Sequence, residues 1–426
     1  MYQNKMLEMI NKSKSTFHAV HNIKNELIKA GYVELYENET WKLDKNKYFV
    51  CRNNSSIIAF NICSDLSNYS FNIVASHTDS PAYKLKPNFE IETKAGNKLN
   101  TEGYGGMLNA TWFDSPLSIA GRCFVNQDGI KEVLVDLDQT LLIIPSLAIH
   151  MNPQANNNAT YNNQMDMLPL YGGKSLKAKI LKELKINEED LLGFDLFLYN
   201  RQRGYLWGED NQYISSPQLD NLECAYTSLF AFIEASCDNA INVYCSFDNE
   251  EVGSRTKQGA ASTFLYDVLT RINSSLGKTN EDYLKAVSQS FLVSADNAHA
   301  CHPNYEGKSD MTNRTYMNKG VVIKYNSNGS YTTDGLSESI LKKYFIMANL
   351  PYQQFTNRSD MRGGGTLGSI SLMQVSLMSV DIGLPTLAMH SINETGGVSD
   401  INDMVNLLKM VYSHHIVIEK GIIKID

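Results

Sequence analysis

The chain has 426 residues, 43% of them apolar and 20% charged, which is the composition of an ordinary globular protein and speaks against collagen-like, disordered and disulfide-scaffold classes. At roughly 100–200 residues per domain there is room for about two or three domains, or for one large domain carrying an insertion. Forty-six acidic against 38 basic residues leave a net charge of −8, which argues against a nucleic-acid partner.

Seven cysteines stand singly, without a CxxC pair, and read as reduced thiols of a cytoplasmic protein. The opening MYQNKMLEMINKSKS lacks the apolar region of a signal peptide, and LLIIPSLAIHM is too short to span a bilayer, so no membrane partner is expected.

In chain order, Val20, Ile23, Leu27 and Ile28 recur at helical spacing and Gly31 sits at a helix stop, which predicts a helix over 15–31. Two strand-like runs follow, at 56–62 and 71–76, and the second delivers His77-Thr78-Asp79-Ser80-Pro81 at its carboxyl end. The middle, 88–212, is rich in short β-like runs with turn signals at Asp128-Gly129 and Gly172-Gly173. Its Asn-rich stretch 152–166 reads as a mobile loop. A helix is expected over 222–235. The run 241–247 then leads into Asp248-Asn249-Glu250-Glu251, 290–295 into Asp296-Asn297-Ala298-His299, and 384–389 into His390. A long C-terminal helical pattern follows from Ile401.

Strands alternating with helices predict an α/β domain with a mostly parallel sheet flanked by helices, formed by 1–87 and 213–426 and interrupted by a β-rich insertion over 88–212. Ligand sites in such sheets lie beyond the carboxyl ends of the strands. The polar residues there are His77, Asp79, Glu250, Glu251, Asp296 and His390, with Asp220 at the start of the helix after Pro217. Each alone has an ordinary explanation: an HxD is usually a surface pair, and an adjacent Glu-Glu is usually solvated. Four strand ends converging on one edge change that balance. Two imidazoles with several carboxylates form a hard N/O set suited to zinc, manganese or cobalt. The carboxylates outnumber the needs of one tetrahedral ion, whereas two ions sharing a carboxylate would use them.

An ordered series of segments carries a resemblance: STFHAV near the start, SHTDSP at 76–81, GYGGMLNATWFDSPLSIAGR at 103–122, LAIH at 147–150, PQLDN at 217–221, SFDNEEVGS at 246–254, SADNAHACHPNY at 294–305, NKGVVIKYN at 318–326 and MHS at 389–391. In these the chain resembles the M18 aminopeptidases, whose best-known members are aspartyl aminopeptidases. The resemblance implies a zinc-exopeptidase-like α/β fold and a dinuclear hydrolase, most simply with two zinc ions, that trims one residue from peptides with a free N-terminus.

It implies that His77, Asp220 and Asp296 hold one metal, that Asp220 bridges to a second completed by Glu251 and His390, and that Asp79 orients His77. Glu250 would be the general base for the attacking water. His150 would reach across a subunit contact to the neighbouring site, with the insertion serving as an oligomerisation or lid domain in a dimer or a tetrahedral dodecamer. Lys324 would face an acidic N-terminal side chain of the substrate. Arg362-Gly363 departs from the Pro-Cys of the aspartyl enzymes, so Arg362 either adds a second cation for an acidic side chain or marks a reshaped pocket.

His299 and His302 either line the pocket or structure their loop, and His18, His21, His414 and His415 fall in predicted helices. GGGTLG lacks the Lys-Ser/Thr of a phosphate loop. Two rivals remain open: a related two-metal hydrolase such as an amide deacylase, and a non-catalytic scaffold, against which the retention of Glu250 and every ligand speaks.

Overall fold

The computed structural model describes residues 2–157 and 159–426. Its centre is a nine-stranded mixed sheet in the order Val33–Leu35, Lys47–Arg52, Ser56–Asn61, Ala240–Phe247, Ser70–His77, Phe291–Ala295, Met378–Gly383, Val321–Tyr325, Tyr352–Thr356. The four strands from Ala240–Phe247 to Met378–Gly383 pair in parallel, while Ser56–Asn61 and Val321–Tyr325 join this block antiparallel. Side chains of a strand alternate between faces, so each central strand feeds two cores. Phe71, Ile73 and Ala75 face one core while Val74 faces the other, and in the next strand Val243 and Cys245 oppose Tyr244. Helices Tyr2–Lys12, Thr16–Lys29, Leu219–Glu234, Gly335–Ala348 and Val398–Ser413 cover one face; Phe264–Ser275, Asn280–Ser288 and Leu367–Ser371 cover the other. Both faces are buried, which is why these strands read as unbroken apolar runs.

The second body is a β-barrel. Its strands run Leu191–Asn200, Ala82–Ile91, Asn97–Tyr104, Leu170–Tyr171, Leu142–Ile143, Leu117–Asn126, and Leu191–Asn200 pairs again with Leu117–Asn126 to close the ring. Ile130–Asp136 extends it through a hairpin at Asp128-Gly129, both in the left-handed region that such tight turns require. The protein is thus α/β with an inserted β domain.

Three expected elements differ. The sheet strand near His390 is Met378–Gly383, not 384–389, where Pro385–Thr386 makes a short pairing with Ala298–His299 and Leu387 bridges to Thr395. Asp381 hid the true strand: it is a carboxylate in a core strand, satisfied by hydrogen bonds from Thr332 and Thr366. The C-terminal helix stops at Ser413, and Ile416–Glu419 pairs with Ile422–Ile425 as a hairpin, so His414 and His415 lie beyond the helix. Within the β-rich stretch, Leu176–Leu184 is a helix that Ser175 caps by accepting from the Ala178 amide. The Asn-rich stretch 152–166 is built of turns, and Asn158 lies outside the described residues. No described helix is long and apolar enough to cross a membrane.

Candidate metal centre

Parallel register brings the site together. Phe247 lies opposite His77, and Ser294 opposite Ala75, so the chain leaves three adjacent strands at one edge, heading into Asp79, Asp248–Glu251 and Asp296. A small sheet supplies the rest: Tyr213–Ser216 pairs with Glu394–Gly397, Ser216 opposite Glu394, which sets the approach to Asp220 beside the exit from His390.

His77, Asp220 and Asp296 each offer a donor atom, and all three atoms lie within 4.8 Å of one another; Asp220, Glu251 and His390 form a second such group. Asp220 belongs to both. Its Oδ1 is 3.6 Å from His77 Nε2, and its Oδ2 is 3.4 Å from His390 Nε2. Asp296 Oδ1 lies 3.6 Å from His77 Nε2, and Glu251 Oε2 lies 3.4 Å from His390 Nε2. Donors about 2.0–2.1 Å from a tetrahedral zinc are about 3.3 Å apart, so the imidazole–carboxylate spacings of both groups are close to those of such a site.

The imidazoles are set for ligation. His77 Nδ1 donates to the Asp79 carbonyl at 3.0 Å and His390 Nδ1 to the Gly106 carbonyl at 2.6 Å. A carbonyl only accepts, so both Nδ1 atoms carry a proton, and Nε2, which faces the carboxylates, is the nitrogen left to ligate in each ring. Asp220 Oδ1 and Glu251 Oε1 are buried without any hydrogen-bond partner, a costly arrangement that a cation would relieve.

Electrostatics agree. Burial, followed by the negative charges of Asp296, Asp79 and Asp220, pushes the Glu250 carboxyl up to about 8 against the pull of His77. Burial and Asp220 raise Glu251 as well. Burial favours a neutral Asp220, yet His390 and His77 outweigh it and hold its pKa low. Several carboxylates crowd together around two imidazole nitrogens, with the Lys324 ammonium 3.6 Å from Asp296 Oδ2, as in a built cation site.

Glu250 joins neither triad around Asp220 but forms a third such group with His77 and Glu251; its Oε2 is 4.0 Å from His77 Nε2. The Asp79 carboxylate accepts from the Glu250 and Glu251 amides, both at 3.1 Å, and from the Tyr104 hydroxyl at 2.7 Å, with His77 Nδ1 3.4 Å from its Oδ1. Lys324 is buried, and its ammonium donates to the carbonyls of Asp296 at 2.7 Å and Asn297 at 3.3 Å. Burial opposes its charge, but Asp296, Tyr331 and Asp381 outweigh that and hold its pKa above the ordinary value. Arg362 is exposed in the segment between Tyr352–Thr356 and Leu367–Ser371. His150 is exposed in a turn and belongs to neither ligand group. His299 meets Phe355 edge-on, His302 Nδ1 accepts from the Asn304 amide, and neither joins the cluster.

Sequence reading missed Glu394. Its buried carboxylate accepts from the Asp220 amide at 2.9 Å and the His390 amide at 2.7 Å, tying together the two loops that bring His390 to Asp220. Burial and the nearby Asp220 push it up to about 8. The available signal was a carboxylate four residues after His390, which on its own has no distinguishing spacing.

The family model described as "Aminopeptidase I zinc metalloprotease (M18)" matches residues 9–412. A relative named probable M18 family aminopeptidase 2, from Clostridium acetobutylicum, is 44% identical over 413 residues, covering 94% of this chain and 95% of its own. Aspartyl aminopeptidase 1 of Schizosaccharomyces pombe is 37% identical over 453 residues, covering 98% and 96%. Among solved structures, a chain in the cryo-EM structure of the Ape4 and Nbr1 complex superposes with a TM-score of 0.91 at 35% identity, covering 96% of this chain and 85% of that one. The S. cerevisiae mApe1 dodecamer shares the fold, with a TM-score of 0.82 at 24% identity over 96% and 95% of the two chains. With a family match over nearly its whole length and relatives covered end to end, the chain belongs to the M18 family and is a metallo-aminopeptidase, a peptide hydrolase of the zinc-dependent class.

Proposed function

We propose that the chain is a cytoplasmic aminopeptidase that uses two divalent ions, zinc in the simplest case, to remove the N-terminal residue of peptides, with preference for Asp or Glu. One observation carries the dinuclear reading: the two oxygens of Asp220 face two different imidazoles, each within 3.6 Å and each backed by a further carboxylate. His77, Asp220 and Asp296 would hold one ion, and Asp220, Glu251 and His390 the other. Bound there, such ions supply Lewis acidity for a peptide carbonyl and lower the pKa of a water.

The protein groups do the rest. Glu250, beside the cluster and not part of either triad around Asp220, takes the proton of the attacking water and returns it to the leaving amine. Asp79 fixes the backbone of Glu250 and Glu251 through their amides, and its carbonyl fixes the tautomer of His77. An ammonium has three donors, and Lys324 uses two on backbone carbonyls. The ammonium also lies 3.6 Å from Asp296 Oδ2; its third donor would meet an acidic substrate side chain, and Arg362 would add a second positive charge from its exposed loop. The aspartyl aminopeptidase among the relatives supports that preference. His150 would enter the site of a neighbouring copy in a homo-oligomer; its exposed turn, flanked by Leu147, Ile149 and Met151, and the dodecameric relative support this.

The test is turnover of Asp-, Glu-, Leu- and Ala-anilides, each free and N-acetylated, by the zinc-loaded protein and by Glu250→Gln. Cleavage of free Asp and Glu substrates by the wild type, with kcat about 10²–10⁴-fold lower in the variant at unchanged zinc content, is the expected result. Turnover of acetylated substrates alone would overturn the exopeptidase reading.

A further inference from the structure

The barrel does more than flank the metal centre, because one of its strands ends inside it. Asn97–Tyr104 runs out at Tyr104-Gly105-Gly106, and each of these residues touches the catalytic loops. The Tyr104 hydroxyl donates to Asp79 Oδ2 at 2.7 Å and accepts from Asn249 Nδ2 at 2.9 Å. Gly105 has φ +75°, and a Cβ on it would stand 3.1 Å from the Glu251 Cβ, so its lack of a side chain is what allows the barrel this close. The Gly106 carbonyl receives the His390 Nδ1 proton, and the His390 carbonyl in turn accepts from the Leu108 amide.

The Tyr104 hydroxyl sits where two supports of Glu250 meet. One is Asp79, which holds the Glu250 and Glu251 amides. The other is Asn249, the residue before Glu250, whose φ of 63° is held by its side chain: Thr256 and Gln258 donate to its Oδ1, and its Nδ2 donates to Tyr104. The ring of Tyr104 is anchored separately, packed edge-on against Phe197 of the barrel at 5.6 Å.

We infer that Tyr104 is a positioning residue for the hydrolytic reaction: from the barrel, its hydroxyl locks Asp79 to Asn249 and thereby fixes where the Glu250 and Glu251 carboxylates point. This rests on the metallo-aminopeptidase reading of the site. It makes the barrel part of the catalytic frame, so that the metal centre is complete only when the two bodies of the chain are docked.

Tyr104→Phe keeps the ring and its packing and removes only the hydroxyl. In the full chain loaded with Co²⁺, the variant should show a changed visible absorption of the bound cobalt and weaker calorimetric uptake of the more loosely held ion. Its kcat should fall about 10–100-fold with KM little changed, the usual consequence of losing a group that orients a ligand. Tyr199→Phe, which removes another barrel tyrosine hydroxyl, one that donates to Asp136 at 2.7 Å, should keep the wild-type spectrum and kcat. A Tyr104→Phe protein with wild-type spectrum, uptake and kcat would overturn the inference. So would a Tyr199→Phe protein that reproduces the Tyr104→Phe defect, because the loss of any barrel tyrosine hydroxyl would then account for it. A wild-type chain that takes up no cobalt contradicts the metal reading itself and removes the ground for this inference with it.

Discussion

Three residues in left-handed conformations deliver the metal-facing carboxylates and imidazole: Gln218 two residues before Asp220, Asn249 immediately before Glu250, and His390 itself. Such conformations cost about 1–3 kcal/mol for ordinary side chains and persist only where the surroundings over-determine them. Glu394 does this for the His390 loop and Asp79 for the Glu250–Glu251 turn, each through two backbone amides. A histidine remote from the ligand set has a different consequence. His18 lies in helix Thr16–Lys29 with Nδ1 2.9 Å from Ser15 Oγ, and burial pushes it down to about 4. Its folded pKa lies below its unfolded one, so the unfolded chain takes up the proton first. The stability it contributes is present above about pH 6.5 and lost as pH falls towards 4. Urea midpoints of the wild type should therefore drop more between pH 7.5 and pH 5 than those of His18→Gln, and equal drops would show that His18 does not titrate in that window.

Among the elements, the buried central strands were legible because both their faces meet helices. Ser56–Asn61, Ser70–His77, Ala240–Phe247 and Phe291–Ala295 all read as apolar runs, the last three ending in polar clusters. Met378–Gly383 was not legible, since Asp381 interrupts the apolar pattern and only threonines distant in sequence explain its burial. This strand matters to the site through Gly383. A Cβ there would collide with the Asp296 carbonyl oxygen and stand 2.9 Å from the Ala298 amide, so the absent side chain lets the strand lie against the turn that presents Asp296. Gly383→Ala should cost about 1–3 kcal/mol from overpacking and reduce zinc content by displacing Asp296. Urea unfolding and metal analysis of the purified variant would check both, and wild-type values in each would mean that the turn yields without cost. Helix Leu176–Leu184 escaped notice because it is short, with the single stripe Leu176, Ile180 and Leu184 against the barrel core.

At the scale of the whole molecule, the site is a property of two bodies. The α/β sheet sets the positions of His77, Glu250, Glu251 and Asp296; the small sheet brings Asp220 beside His390; the barrel seals the arrangement through Tyr104-Gly106. The ligand residue types were legible from strand-end chemistry, and their pairing followed from the resemblance. Glu394 and Tyr104 were not legible, because each makes a contact to a segment more than 100 residues away in sequence, Glu394 to Asp220 and Tyr104 to Asn249. The net charge of −8 is partly concentrated here, where Asp220, Glu251 and Asp296 surround one small volume. Cations bound among them would neutralise it locally. The most direct test of this account is anomalous diffraction at the zinc absorption edge from crystals of the zinc-loaded protein. Two peaks are predicted, one bounded by His77, Asp220 and Asp296 and the other by Asp220, Glu251 and His390, with Asp220 between them. A single peak, or zinc bound away from Asp220, would contradict it.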